Sequence, residues 1–91
     1  MAEFIKINPA DNVAVAIHDA EAGTGFSIDG VHVTAKVRIP AGHKMALRDL
    51  SCGQDVVKYG FPIGHLLQDV PQGGLIDHSN LKTNLDGLLE Y

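Results

Sequence analysis

The hydrophobic positions of this chain come in short runs, separated every few residues by glycine, proline, asparagine or aspartate. Apolar runs at residues 5–7 and 13–17, on either side of an Asn-Pro-Ala-Asp-Asn turn, predict two short strands. From residue 31 to residue 37, valine and alanine alternate with polar residues, which is the period of a strand with one solvated face. The pattern therefore predicts a mainly β protein with tight glycine turns.

A hairpin is predicted where residues 27–28 meet the alternating strand that begins at Val31. The two residues between them are Asp29 and Gly30, and Asp-Gly is a favoured pair for the type I′ turn of a two-residue hairpin loop.

A five-residue pattern, Asp-x-x-x-Gly, recurs at residues 19–23, 49–53 and 69–73, and residues 38–42 have the same shape with Arg38 in place of aspartate. Glycine supplies the positive φ that a tight turn needs, and aspartate accepts hydrogen bonds from the N–H groups of the turn. The spacings of 30 and 20 residues are unequal. The pattern thus predicts four corners of one much-folded β domain and not a solenoid.

Little helix is expected. Residues 45–50 have room for one helical turn, and residues 63–69 fit either a strand or a short helix. Residues 84–91 mix polar and apolar positions around a glycine, as a tail or the start of a linker does. The predicted organisation is one small domain over residues 1–83, followed by that tail.

Composition narrows the class of protein. A chain of 91 residues makes one domain with a small core. The formal charge of −4, without a lysine or arginine cluster, disfavours nucleic-acid binding, and no apolar run is long enough to span a membrane. Cys52 is the single cysteine, so no internal disulfide is possible. Together with an N-terminus unlike a signal peptide, this predicts a cytoplasmic protein.

Two pairs of reactive side chains lie beside glycines. His43 and Lys44 follow a glycine on a predicted tight turn, where an imidazole can reach a ligand or metal and an ammonium can bind an anion. Lys58 and Tyr59 precede another glycine, and an ammonium beside a phenol can bind a carboxylate or assist proton transfer. The alternative for each pair is a solvated lysine beside a packed ring.

The five histidines show no spacing typical of a local metal motif. Asp77, His78 and Asn80 lie within four residues and have the side chains to ligate a divalent cation. The alternative is a capped turn that leads out of a sheet.

The chain resembles the N-terminal domain of the altronate/galactarate dehydratases. That module is called a SAF domain, and it also forms the small subunit of sulfolactate sulfo-lyase. Its fold is a β-clip, seen as well in type III antifreeze protein and sialic acid synthase. The resemblance rests on these segments: Asn12-Val-Ala-Val-Ala16, Ala22-Gly-Thr24, Ile39-Pro-Ala-Gly-His-Lys44, Ala46-Leu47, Asp49, Val57-Lys-Tyr-Gly60, Ile63-Gly64 and Thr83-Asn-Leu85.

The resemblance implies part of a carbon–oxygen lyase that dehydrates a sugar acid and is inactive alone. It implies catalytic roles for His43 and Lys44, substrate contacts for Lys58 and Tyr59, and Fe²⁺ or another divalent metal held mainly by a large dehydratase domain or subunit. Any metal ligands from this chain would be His43, Asp77 and His78. A homo-oligomer is left open.

The resemblance departs from the family pattern at one place. Altronate-type members often carry His-x-His-Asn where this chain has Asp77, His78, Ser79 and Asn80. The Ile-Asp pair there favours the galactarate type, whereas Thr83-Asn-Leu favours the altronate type, so the substrate stays open. Two other functions also stay open: a sulfolactate sulfo-lyase-like small subunit, and a non-catalytic module that binds carbohydrate or protein. A purely structural assembly domain is a further alternative.

Overall fold

The computed structural model describes residues 4–83, which form strands joined by turns and loops. No helix occurs among them, and therefore none that could span a membrane, so the predicted mainly β class is confirmed. The predicted tail at residues 84–91 lies outside the described residues. The strands are β1 (Phe4–Ile5), β2 (Val13–Ala16), β3 (Gly25–Ile28), β4 (Val31–Thr34), β5 (Lys44–Ala46), β6 (Asp55–Lys58), β7 (Phe61–Leu66), β8 (Leu75–Ile76) and β9 (Leu81–Thr83).

A four-stranded antiparallel sheet in the order β1-β2-β5-β8 lies at the centre, with core clusters on both sides. Alternate residues of its strands enter opposite clusters, because successive side chains of a strand point to opposite faces. The β6-β7-β9 sheet covers one cluster and the β3–β4 hairpin covers the other. The first cluster contains Val13, Ala46, Leu50, Val56, Leu66, Val70, Ile76 and Leu81; the second contains Ala16, Ala20, Val33, Ala35, Ile39 and Met45.

Three sequence predictions about individual elements need correction. The helical turn predicted at residues 45–50 is wrong, because β5 is a central strand bonded to β2 and β8. The strand predicted over residues 31–37 ends at Thr34, since the Lys36 N–H donates to the Gly73 carbonyl instead of to a neighbouring strand. The strand predicted at residues 5–7 is β1 and ends at Ile5. Of the two alternatives for residues 63–69, the strand is confirmed as β7.

Both hairpins turn through two residues with positive φ. Asp29 (φ 51°) and Gly30 (φ 77°) join β3 to β4, which confirms the predicted type I′ turn. Tyr59 (φ 56°) and Gly60 (φ 78°) join β6 to β7 in the same way. This second turn carries no sequence signal, because a bulky aromatic residue is uncommon at positive φ.

The four predicted corners are present, but they pair two by two across the molecule. The corner at residues 19–23 bridges the one at 38–42 through Ala20 and Ile39, and the corner at 49–53 bridges the one at 69–73 through Leu50 and Val70. The sequence predicted that each aspartate accepts hydrogen bonds from its own turn. This is wrong, because each aspartate accepts from an N–H group of the opposite corner. The three bonds, each 2.8 Å, run from the N–H groups of Ala41 to Asp19, Gln72 to Asp49, and Cys52 to Asp69.

The fourth corner lacks this bond because Arg38 stands at its aspartate position. The Arg38 guanidinium instead contacts the carboxylates of Asp19 at 2.6 Å and Glu21 at 3.3 Å. The Ala41 N–H and the Arg38 charge together hold the pKa of Asp19 below its ordinary value. Two corners and the hairpin between them thus form a unit, at residues 19–42 and again at 49–73. A substitution in one unit can therefore be compared with a substitution at the equivalent position of the other unit.

Removal of one corner bond should lower stability modestly. Asp69→Ala is expected to lower the free energy of unfolding by about 1 kcal/mol, as loss of a capping acceptor typically does. Asp69→Asn keeps an acceptor oxygen for the Cys52 N–H and should lose less. Urea unfolding of both variants at pH 7 measures the difference. Equal losses for alanine and asparagine would show that the hydrogen bond contributes nothing.

Candidate functional site

The fold brings together four of the residues that the sequence singled out. Lys44 begins β5, Lys58 ends β6 and Asp77 follows β8. Lys44 pairs with Ile76 across β5 and β8, so the next step of the register places Asp77 opposite His43. The charges of Lys58 and Asp77 both act on Lys44, and the charge of His43 acts on Asp77. Residues distant in sequence therefore share one electrostatic environment.

Lys44 is the most unusual member of this cluster, because its side chain is only 2% exposed. Burial and then the nearby charge of Lys58 lower the pKa of Lys44 from 10.5 to about 8, against the opposing effect of Asp77. Lys58 is 8% exposed, and burial lowers its pKa as well, with Asp11 opposing. Two ammonium groups that are both buried and repel each other favour an anion between or beside them.

The segment after β8 is a capped turn. The Asp77 carboxylate accepts from the Ser79 N–H at 2.9 Å and from the Ser79 hydroxyl, while the Asn80 side chain accepts from the Asp77 N–H at 2.9 Å. The bonds to Ser79, and the charges of His78 and His43, lower the pKa of Asp77. This confirms the turn that the sequence left as an alternative, and the lowered pKa keeps Asp77 ionised near Lys44.

His43 is held by a tight turn. Its N–H donates to the Pro40 carbonyl at 3.0 Å across Gly42, whose φ of 85° is the left-handed conformation that glycine adopts without strain. The Nδ1 atom of His43 is buried and has no hydrogen-bond partner among the described residues. A buried polar atom without a partner costs about 1–3 kcal/mol. The imidazole can therefore accept a partner that residues 4–83 do not supply.

Lys58 and Tyr59 separate at the end of β6. The Lys58 side chain enters the buried cluster, whereas Tyr59 is 51% exposed at the hairpin tip. The Lys58 Nζ still lies 4.9 Å from the centroid of the Tyr59 ring, a cation–π distance. Tyr59 therefore borders the cluster from outside.

Comparison with known proteins identifies the fold and the family. The sequence profile of the altronate/galactarate dehydratase SAF domain matches residues 2–84. The chain belongs to this family. The predicted resemblance is confirmed by a match that covers nearly all of the chain.

Relatives of known activity include both dehydratase types and a sulfo-lyase. The chain is 44% identical over 89 residues to an altronate dehydratase of Escherichia coli, with 98% of this chain and 18% of that enzyme aligned. It is 39% identical over 78 residues to a galactarate dehydratase (L-threo-forming) of E. coli, with 84% of this chain and 14% of that enzyme aligned. It is also 35% identical over 88 residues to a (2R)-sulfolactate sulfo-lyase subunit alpha of Chromohalobacter salexigens, with 89% of this chain and 94% of that subunit aligned.

The side chains of this SAF domain fit a metal only in part. Among residues 4–83, no three His, Cys, Asp or Glu side chains form a group that could hold an ion. The Nδ1 atom of His43 fits a single ligand position. A metal at His43, Asp77 and His78 therefore stays a prediction.

Two buried residues that support the site were missed. Asp11 and Asn12, 3% and 2% exposed, lie just before β2. Asp11 accepts from the Gly60 N–H at 2.8 Å. The Asn12 amide accepts from the Val57 N–H at 2.8 Å and donates to the Asp55 carbonyl at 2.9 Å. They hold the β6–β7 hairpin, and hence Lys58, against the central sheet. Asn12 begins one of the segments that resemble the family, but nothing in that segment indicates this bonding role, and an Asp-Asn pair directly before a strand predicts a turn equally well.

Proposed function

We propose that this SAF domain helps to complete the active site of an acid-sugar hydro-lyase of the altronate or galactarate type. The similarity that carries the proposal covers 98% of this chain but 18% of the altronate dehydratase, so most of that enzyme lies outside the shared segment. A large dehydratase domain or subunit would be the partner. We place the complex in the cytoplasm, because the single cysteine, Cys52, offers no internal disulfide.

The reaction would remove a proton α to the substrate carboxylate and expel the β-hydroxyl as water. It needs an anchor for the carboxylate and stabilisation of the negative charge that develops on the enolate. Lys44 and Lys58 would bind the carboxylate, and the bound anion would raise the pKa of Lys44 and offset the cost of its burial. His43 would donate or accept a hydrogen bond at the reacting face through its buried Nδ1. Fe²⁺ or another divalent ion, held mainly by the partner, would supply Lewis-acid stabilisation.

A second candidate is the small subunit of a sulfolactate sulfo-lyase-like enzyme. The observation in its favour is length, since the chain aligns with 94% of the Chromohalobacter alpha subunit. The same lysine pair would then anchor the carboxylate of a sulfonated hydroxy acid, and the group expelled would be sulfite.

Complementation of two enzymes separates the candidates. One is the truncated altronate dehydratase, by which we mean the E. coli enzyme without the segment that this chain matches; the other is the Chromohalobacter sulfo-lyase without its alpha subunit. Each is mixed with this chain, and water loss from altronate or sulfite release from (2R)-sulfolactate is measured. We expect water loss only. Sulfite release alone would replace the first candidate with the second, and restoration of neither activity would contradict both.

A further inference from the structure

The tip of the β6–β7 hairpin exposes aromatic surface. Phe61 is 71% exposed, more than any other large hydrophobic side chain among residues 4–83, and Tyr59 beside it is 51% exposed. The chain has three phenylalanines, two tyrosines and no tryptophan. The other two phenylalanines, Phe4 and Phe26, pack edge to face with their ring centroids 4.5 Å apart. Exposed aromatic rings are typical of protein interfaces, where they supply much of the binding energy.

The backbone at this tip is strained at Tyr59, and the stability of the turn does not explain why a tyrosine is found there. Tyr59 adopts a φ of 56°, a conformation that costs an ordinary residue about 1–2 kcal/mol. The equivalent position in the first hairpin is Asp29, a residue type that tolerates positive φ. Strained residues cluster at functional sites. The presence of a tyrosine at this position thus points to a role for its exposed ring.

The tip is continuous with the candidate site. Lys58 and Phe61 are partners across the hairpin, so their side chains lie on the same face. Lys58 is 8% exposed and Phe61 is 71% exposed, so the solvent boundary passes between them. Any surface that covers Phe61 therefore lies at the edge of the cluster that contains Lys44 and Lys58.

We infer that this hairpin tip, formed by Tyr59, Gly60 and Phe61, is the surface through which the SAF domain docks onto the large region of the dehydratase. The inference rests on the proposed function. The Phe61 ring would enter an apolar pocket of the partner, and the two buried lysines would lie at the border of the shared site. The partner is the rest of the dehydratase, because the chain aligns with only 18% of that enzyme. That remaining region must contact this domain if the two share an active site.

The first hairpin provides a matched control. Val31 occupies the position equivalent to Phe61 and is 51% exposed. Its side chain lies at a groove of about 220 Å³ whose rim carries Arg48 and the ion pair of Lys6 with Asp29 at 2.9 Å. This tip is less apolar than the second one, so substitutions at Val31 should leave docking unchanged.

Fluorine NMR tests the docking surface directly. The chain is labelled with 4-fluorophenylalanine, which gives three signals, and Phe61→Leu assigns the signal of Phe61. On addition of the unlabelled truncated altronate dehydratase, we expect the Phe61 signal to shift, while the signals of Phe4 and Phe26, which are half-buried against the second core cluster, stay in place. The dissociation constant should rise about tenfold or more for Phe61→Ser and less than about twofold for Val31→Ser. Because Phe61 is exposed, its substitution should leave the melting temperature unchanged.

The outcomes separate the inference from the proposed function. If the wild-type chain binds and the Phe61 signal does not move, or Phe61→Ser binds as tightly as the wild type, the docking surface lies elsewhere and the inference is wrong. If the wild-type chain does not bind the truncated enzyme at all, the result counts against the proposed function and against the docking surface together.

Discussion

Turnover of the complemented altronate dehydratase is expected to fall by about 100-fold or more when His43 is replaced by alanine. The loss should appear in kcat, because an imidazole that acts on the reacting atoms is needed after the substrate is bound. His43 follows a tight turn, and its buried Nδ1 has no hydrogen-bond partner in the part of the chain that the structure describes. Its removal takes away an unsatisfied polar atom, so stability of the isolated domain should not decrease.

His18 is the matched control for this experiment. It is exposed near the corner at residues 19–23, and His18→Ala should leave kcat within about twofold of the wild type. Chemical denaturation of both variants shows whether the domain remains folded. An unchanged kcat for His43→Ala would contradict a catalytic role and would favour a purely structural function for this histidine.

Lys44→Met is expected to make the isolated domain more stable and the complemented enzyme less active. A pKa lowered from 10.5 to about 8 corresponds to a cost of about 3 kcal/mol for keeping the buried ammonium charged near neutral pH. Methionine has a similar length and no charge, so the free energy of unfolding at pH 7 should rise by up to about that amount. In the enzyme, loss of the ammonium should raise KM for the substrate, because the carboxylate loses an anchor.

The stability that Lys44→Met gains over the wild type should decrease as the pH rises. Between about pH 8 and pH 10.5 the unfolded chain retains a proton on Lys44 that the folded chain has lost. The free energy of unfolding of the wild type should therefore rise with pH across this window. The advantage of Lys44→Met is largest below pH 8 and disappears above pH 10.5.

Urea unfolding at pH 7, 9 and 10.5 measures this dependence on Lys44. Lys36→Met, at an exposed position, is the matched control and should change stability by less than about 0.5 kcal/mol at each pH. A Lys44→Met variant that is less stable than the wild type at every pH would show that the charged lysine stabilises the fold and would contradict this prediction.

Local signals predicted the parts of the fold that depend on a few neighbouring residues. Asp29-Gly30 was sufficient for the first hairpin, because that pair suits positive φ at both positions. The second hairpin was missed because Tyr59 adopts the same conformation against its intrinsic preference. The corners were predicted as turns, but their pairing was not, since the acceptor for the Cys52 N–H lies in another corner, at Asp69.

For the candidate site, too, the sequence predicted the reactive residues but not how they come together. The residue types at His43, Lys44 and Lys58 predicted reactive groups, and the structure places them in one cluster. Their proximity follows from the register of β5 with β8 and from the contact of β6 with the central sheet, neither of which is encoded locally. The burial of Lys44 was not predicted either, because a lysine after a turn is normally solvated. It is buried because β5 is central and covered on both faces.

The most direct test of the central claim is the rate of water loss from altronate when this chain is titrated into the truncated altronate dehydratase. We expect no turnover by either polypeptide alone, and a rate that rises with added chain and saturates at one chain per large region. Full turnover by the truncated enzyme without this chain, or by this chain without a partner, would contradict the claim that the SAF domain completes a site shared with a larger region.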